Sequence, residues 1–147
     1  MSQSINFRAA TLADVPFLLR LRKLTMTVHL QRVAEPTDDE THYQRIWSNF
    51  ENARILCVGT ESIGFLKLTR TSGDWYLHQI QILPTHQGKG IGKAVLDEVL
   101  VQARREGATV SLSVLHGNPA RRLYERMGFG LVCETSVDAK LMWHPQR

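Results

Sequence analysis

The stretch Gln87-Gly88-Lys89-Gly90-Ile91-Gly92-Lys93 is the most informative part of this chain. It follows an extended apolar run, residues 75–83, and it precedes a run with helical periodicity that ends at Glu106. Glycines at alternate positions let several backbone amides point into one cavity, because no side chain blocks the approach of an anion. At a strand-to-helix turn, such amides and the helix N-terminus together form an anion site. The stretch therefore predicts a loop that binds a phosphate-bearing ligand.

Two better-known glycine loops have different spacings. A P-loop requires Ser or Thr after its Gly-Lys pair to bind Mg²⁺, whereas Gly92-Lys93 is followed by Ala94. A dinucleotide-binding fingerprint requires G-x-G-x-x-G, whereas Gly88, Gly90 and Gly92 are each two residues apart. For the short motif alone, a glycine-rich helix start that binds no ligand is the remaining alternative.

Two motifs of the chain resemble those of the GNAT superfamily of N-acetyltransferases. Gln87-x-x-Gly90-x-Gly92 resembles the pyrophosphate loop of the family, and Pro84 lies where the family commonly has proline. The run NPARRLYERMGF, residues 118–129, looks like the second signature of the family, with its Ala, Tyr and Gly-Phe at the family spacing. Residues 7–14 also look like the first strand and the start of the first helix of the family. The resemblance covers nearly the whole chain.

The expected fold is α/β (α+β), a single GNAT-like domain over residues 1–147, because this length suits one domain. Hydrophobic periodicity gives the order β-α-α-β-β-β-α-β-α-β-β, which is also the family order. The resemblance implies a mixed, mostly antiparallel sheet that splays at the cofactor, flanked by about four helices. Thr11 with Asp14 predicts a capping box, and Glu61-Ser62 predicts a turn.

Composition argues against several function classes. The net charge is +4, but the basic residues are scattered, so nucleic-acid binding is not expected. No apolar run approaches the ~20 residues of a membrane span and no signal peptide is visible, which predicts a cytoplasmic location without a membrane partner. The six histidines and two cysteines have no metal-ligand spacing, so no metal is expected. Cys57 and Cys133 lie in apolar, strand-like runs and are expected to be buried free thiols.

The resemblance implies acetyl transfer from acetyl-CoA to a primary amine of a small molecule or peptide by direct attack. Tyr124 occupies the tyrosine position of the second motif, which in the family lies near the sulfur of CoA. It is the candidate general acid, because a phenol with a pKa near ~10 is neutral at pH 7. Family members often place a glutamate base near the strand before the loop, but no acidic residue occurs between Asp74 and Asp97. His78, with an ordinary pKa of ~6.5, is the candidate base in its place.

The resemblance also implies how the cofactor would be bound. The strand backbone would pair with the pantetheine arm at Ile80, Gln81 and Ile82. The loop would meet the phosphates of CoA at Gln87, Gly88, Lys89, Gly90, Ile91, Gly92 and Lys93. Asn118 would contact the pantetheine arm, although an Asn before Pro119 is equally a good helix cap. Solvent exposure is the alternative for the two lysines.

Two residues are candidates for binding the amine. Glu35, in the acidic stretch 35–40, would attract a protonated amine, although acids also favour a helix N-terminus. Gln79, on the strand before the loop, would position water or substrate. Two functions stay open as alternatives: a transferase that uses another acyl-CoA, and a non-catalytic module that binds acyl-CoA. A homodimer is common among similar proteins and is therefore a further expectation.

Overall fold

The computed structural model describes residues 4–145, and within them seven strands and four α-helices follow the predicted order. The strands are β1 (Ile5–Ala9), β2 (Ala53–Val58), β3 (Glu61–Arg70), β4 (Asp74–Ile82), β5 (Thr109–Leu115), β6 (Gly130–Glu134) and β7 (Asp138–Trp143). The helices are α1 (Val15–Arg32), α2 (Asp39–Trp47), α3 (Ile91–Glu106) and α4 (Ala120–Arg126).

The strands form one sheet in the order β1-β2-β3-β4-β5-β7-β6. All neighbours are antiparallel except β4 and β5, which are parallel. A parallel pair needs a long crossover, and α3 supplies it between the end of β4 and the start of β5. The mixed, mostly antiparallel sheet is therefore confirmed, and the N-terminus of α3 lies just after the carboxyl end of β4.

Helices cover both faces of the sheet. Neighbouring strand residues point to opposite faces, so Phe65 and Leu66 belong to two different apolar cores. On the Leu66 face, α3 buries its apolar stripe, which consists of Val95, Leu96, Val99, Leu100 and Ala103. On the Phe65 face, α1 and α2 bury Leu18, Leu21 and Ile46. The sheet is therefore held from both sides.

Strands β4 and β5 diverge halfway along β4. Their pairing ends where Leu77 lies opposite Leu112. Beyond that point β4 continues to Ile82 against β3, and β5 continues to Leu115 against β7. The predicted splay is therefore present, and it leaves one backbone edge of residues 78–82 without a strand partner.

A β-bulge interrupts the pairing of β3 with β4. Leu68 lies opposite Leu77 but Lys67 lies opposite Gln79, so His78 is the extra residue on β4. A bulge shifts the in-out alternation of a strand by one residue. His78 and Gln79 consequently lie on the same side of the sheet, opposite the face that packs against α3.

Two local predictions from the sequence are wrong. The turn between β2 and β3 lies at Gly59-Thr60, where Gly59 has a φ of +62°, and Glu61-Ser62 already belong to β3. Glycine tolerates this left-handed conformation, so the turn forms at Gly59 rather than at the polar pair that follows it. Cys133 is exposed rather than buried, because β6 is an edge strand whose five residues are all exposed. Cys57 is buried, as expected.

Candidate active site

Two adjoining cavities open beside the carboxyl half of β4. We call the first the loop cavity; it has a volume of about 270 Å³ and lies between β4, α3, α4 and α1. We call the second the basic cavity; it has a volume of about 440 Å³ and lies between α1, the end of α2, and strands β3, β4, β5 and β7. Met26 of α1 lines both cavities, so they meet beneath this helix.

Helix α3 begins at the loop cavity without a side-chain cap. Its N-cap residue is Gly90, and the first backbone bond of the helix runs from the Ala94 amide to the Gly90 carbonyl at 3.0 Å. The amides of residues 91–93 therefore have no acceptor inside the helix. Together with the helix dipole, these amides form a site that favours an anion.

The three glycines of the loop have different tasks. Gly88 and Gly90 have φ values of +76° and +78°, a conformation that L-residues rarely adopt. Gly92 has no positive φ, it lines the loop cavity, and a Cβ built on it would have nothing within 4 Å. The first two glycines therefore shape the backbone, while Gly92 keeps the cavity open beside the helix N-terminus.

The open edge of β4 forms a second wall of the loop cavity. Gln81 is 6% exposed, and its Oε1 has no hydrogen-bond partner in residues 4–145. Leaving a buried carbonyl unpaired is costly, so this oxygen is available to accept from a hydrogen-bond donor in the cavity. The side chain of Gln87 donates to the Ile82 carbonyl at 2.8 Å and ties the loop to the strand.

Tyr124 and Asn118 complete the wall on the α4 side. Tyr124 is 9% exposed and packs with its ring 5.8 Å from that of Phe129. Burial raises the pKa of Tyr124 to about 12, so the phenol keeps its proton at neutral pH. The Oδ1 of Asn118 accepts from the Ala120 amide at 2.9 Å and stabilises the start of α4.

The structure brings most of the predicted cofactor residues to one place. The loop cavity is lined by Ile80, Gln81, Ile82, Gln87, Gly92, Asn118 and Tyr124. Lys89 is exposed in the loop beside this wall. Lys93 forms an ion pair with Asp97 at 3.1 Å and lines a different cavity further along α3.

His78 lines the basic cavity, and its hydrogen bonds define which nitrogen carries the proton. The hydroxyl of Thr69 donates to Asn52 Oδ1 at 2.9 Å, and its oxygen lies 2.7 Å from His78 Nε2. Since the Thr69 proton is already used, Nε2 must donate to Thr69, which leaves Nδ1 with a free lone pair. Burial and the charge of Lys67 lower the pKa of His78, so the imidazole is neutral at pH 7.

The other two predicted acceptor residues line the same cavity. Gln79 has a buried Oε1 with no partner in the described part of the chain, and Glu35 follows the end of α1. His78, Gln79 and Glu35 are therefore brought together, next to the loop cavity but not in it.

The sequence analysis missed two buried cations of the basic cavity. Arg22 and Lys67 are each 2% exposed. The Lys67 ammonium donates to three carbonyls at the end of α2, those of Arg45 at 2.8 Å, Ile46 at 3.1 Å and Ser48 at 2.7 Å. Burial and the charge of Arg22 lower the pKa of Lys67 to about 8, which still leaves it charged at pH 7. A cation at a helix C-terminus is electrostatically favoured.

A signal for both cations was present in the sequence. Lys67 is the one charged residue within the apolar run 63–68, and Arg22 falls on the apolar stripe of α1. A charged residue at a core position is rarely buried unless something pairs with it.

Known proteins share sequence with this chain. The sequence model of the family described as Acetyltransferase (GNAT) family matches residues 19–129. The ribosomal protein bS18-alanine N-acetyltransferase of Haemophilus influenzae is 35% identical over 92 residues, which cover 62% of this chain and 60% of that relative. The match thus spans less than two thirds of the relative's length.

Solved structures share the fold over nearly the whole chain. The PaiA N-acetyltransferase from Thermoplasma acidophilum, in complex with coenzyme A, has a TM-score of 0.74 at 17% identity, over 96% of this chain and 99% of that one. The ribosomal-protein-S18-alanine N-acetyltransferase from Escherichia coli has a TM-score of 0.71 at 18% identity, over 98% of this chain and 96% of that one. At these identities the likeness shows the fold. Among residues 4–145, none of the helices has the length and apolar character of a membrane span, and no group of three or more His, Cys, Asp or Glu side chains is placed to hold a metal ion.

Proposed function

Because this chain belongs to the GNAT family of acetyltransferases, we propose that it transfers an acetyl group from acetyl-CoA to a primary amine by direct attack. The observation that carries the proposal is the uncapped N-terminus of α3, which opens into a cavity that also contains the buried Tyr124. The name of the Haemophilus influenzae relative supports an amine acceptor, and the PaiA complex supports coenzyme A as the carrier.

The loop cavity has the groups that acetyl-CoA needs. The free amides of residues 91–93 and the helix dipole would hold the pyrophosphate. The open edge of β4, residues 80–82, would pair with the peptide-like pantetheine arm, and the unpartnered Oε1 of Gln81 would accept one of its N–H groups. The thioester of a cofactor bound in this way would point toward Tyr124 and the neighbouring basic cavity.

The amine substrate would bind in the basic cavity. The Oε1 of Gln79 would accept a hydrogen bond from the amine. Nδ1 of His78 would remove a proton from the amine as the amine nitrogen attacks the thioester carbon. A carbon–nitrogen bond forms, and the carbon–sulfur bond breaks. Tyr124 would give its proton to the departing thiolate, so the products are an amide and the free thiol of CoA. Solvent then returns a proton to Tyr124 and takes one from His78.

The name of the relative favours one acceptor among the possible amines. The Haemophilus influenzae protein is named for acetylation of an alanine in a ribosomal protein. An N-terminal α-amine of a protein or peptide is therefore included in the proposal, beside the amines of small molecules.

The test is release of free thiol from acetyl-CoA in the presence of amino acids, polyamines, aminoglycosides and short peptides. The proposal expects turnover with at least one amine class, and mass spectrometry should find an acetylated amine. Coenzyme A binding without turnover on any amine would instead favour the non-catalytic acyl-CoA module. Absence of both binding and turnover would overturn the proposal.

A further inference from the structure

The basic cavity carries more positive than negative charge. Its lining includes four cationic side chains, Arg22, Arg45, Lys67 and Lys140, against two carboxylates, Glu35 and Asp138. None of the four cations forms a salt bridge with a carboxylate within residues 4–145. One of the carboxylates is already engaged, since the Thr135 hydroxyl donates to Asp138 at 2.7 Å.

Arg22 is the most informative of these cations. It is 2% exposed, its Nε donates to His42 Nδ1 at 3.3 Å, and its buried Nη1 has no partner in the described part of the chain. Burial and the charge of Arg45 lower the pKa of Arg22 to about 10, so it is a cation at neutral pH. A buried guanidinium is normally paired with a carboxylate or phosphate, whose geometry its planar donors match. The neutral imidazole of His42 leaves this charge uncompensated.

Helix α1 places Arg22 close to the expected reaction site. Arg22, Met26 and Leu30 are four residues apart, so they form one stripe of the helix, and all three line the basic cavity. Met26 also borders the loop cavity, and four residues of α-helix span ~6 Å. An amine held at Gln79, which lines the same cavity, would therefore present a neighbouring group to Arg22.

Three of the four cations lie close to α2. Arg22 bonds to His42 of α2, Lys67 bonds to carbonyls at the end of α2, and Arg45 belongs to α2 itself, whereas Glu35 follows the end of α1. All three N–H donors of the Lys67 ammonium are bonded to carbonyls, so Lys67 contributes positive charge to the cavity but no free donor. Arg22, Arg45 and Lys140 are left to bind a ligand directly, and of these Arg22 and Arg45 lie on the two packed helices α1 and α2.

We propose that the amine acceptor carries a carboxylate, and that Arg22 and Arg45 bind this group while the amine faces His78 and Gln79. This inference rests on the proposed function, and it narrows the acceptor to amines that carry an anionic group. The carboxylate is either the α-carboxylate of a free amino acid or an acidic side chain next to a peptide N-terminus.

The test uses two pairs of acceptors that differ in one negative charge. The first pair is alanine and alaninamide, and the second pair is Ala-Glu amide and Ala-Gln amide. Ala-Lys amide is added as a cationic comparison. Each is titrated into the CoA-saturated protein by calorimetry, and each is assayed for thiol release. The inference expects the carboxylate-bearing member of one pair to bind at least about tenfold more tightly than its neutral partner, as a charge-assisted hydrogen bond allows. The first pair detects an amino-acid carboxylate and the second an acidic side chain.

Variants connect that preference to the basic cavity. Arg22→Gln and Arg45→Gln should each reduce the preference for the carboxylate by severalfold to about tenfold. Arg45 is exposed, so the carboxylate preference of Arg45→Gln can be measured even where Arg22→Gln, which removes a buried side chain, impairs folding. Arg105→Gln, on the exposed last turn of α3, is the matched control and should leave the preference unchanged.

The outcomes separate this inference from the proposed function. Equal binding within both pairs, tighter binding of the Ala-Lys amide, or a preference that survives in both variants would overturn the inference, even with an active enzyme. A carboxylate preference that disappears in the variants would support the inference even where thiol release is undetectable, a result that counts against the proposed function alone.

Discussion

At the scale of single residues, the chemistry depends on groups far apart in sequence. The sequence could point to His78, because no acidic residue occurs between Asp74 and Asp97. It could not predict the proton on Nε2, which is determined by the contact with Thr69 and Asn52. Nor could it predict the lowered pKa, because burial and the charge of Lys67 exist only in the folded chain.

The pH profile of the reaction tests His78. A base must be unprotonated, so kcat/KM should fall as the pH drops through the pKa of this imidazole. Because burial and the charge of Lys67 lower that pKa, the acidic limb should lie below the ordinary value of 6.5. In the variant His78→Ala the limb should disappear together with most of the rate.

A control variant makes the pH result specific. His144 is exposed at the end of β7, and His144→Ala should keep both the limb and the rate. If His78→Ala keeps the acidic limb of the wild-type kcat/KM profile, a group other than His78 removes the proton from the amine.

Tyr124→Phe tests the proposed general acid. The substitution removes one hydroxyl and keeps the ring that packs against Phe129. Protonation of the leaving group is typically worth ~10²–10⁴ in rate, and a thiolate leaves easily, so we expect kcat to fall by about 10²-fold. Affinity for acetyl-CoA should change little, because the hydroxyl acts in the transition state.

Steady-state kinetics and a calorimetric titration of acetyl-CoA check this result. A change in kcat of less than about threefold would remove the general-acid role. Weaker binding at unchanged kcat would instead assign the hydroxyl to recognition of the pantetheine arm.

At the scale of elements, the strand and helix order followed from periodicity together with turn and cap residues, and the loop after β4 followed from its glycines. The bulge at His78 was missed, although the sequence contains a sign of it. Leu77 and the next apolar residue of β4 that faces α3, Ile80, are three positions apart rather than two. That break in the alternation is what places His78 and Gln79 on one side.

Cys133 was misplaced because strand hydrophobicity does not reveal which strand is at the edge.

The pairing of β3 with β4 gives a prediction at this scale. A Cβ on Gly64 would lie 2.3 Å from the Gln81 carbonyl, so Gly64→Ala must push β3 away from the open half of β4. We expect the free energy of unfolding to fall by about 1–3 kcal/mol, as in other overpacked sites, and the affinity for CoA to fall with it.

Urea unfolding and calorimetry measure the two effects. Gly130→Ala is the matched control, since a Cβ there would have nothing within 4 Å. Wild-type stability and CoA affinity in Gly64→Ala would show that this close contact does not position the strand.

At the scale of the whole molecule, the site arises where one helix covers two cavities. Met26 of α1 borders both, while the other residues that determine the chemistry of the cavities come from all four helices and from strands β3 and β4. The sequence predicted the loop cavity well because its residues lie in two contiguous motifs. It missed Arg22 and Lys67 because they are 45 positions apart and meet only through packing. The homodimer and the cytoplasmic location stay predictions.

The central claim is that acetyl-CoA binds at the uncapped N-terminus of α3. Calorimetric titration of CoA into Gly92→Leu and Ala94→Leu tests it most directly. Both substitutions add the same side chain to the first turns of α3, but Gly92 lines the loop cavity and Ala94 is exposed. Neither residue has the positive φ that would strain the backbone.

The wild type and Ala94→Leu should bind CoA with equal affinity. Gly92→Leu should bind at least about tenfold more weakly at unchanged thermal stability, because its side chain occupies the space beside the free amides. Wild-type affinity in a folded Gly92→Leu protein would contradict the account.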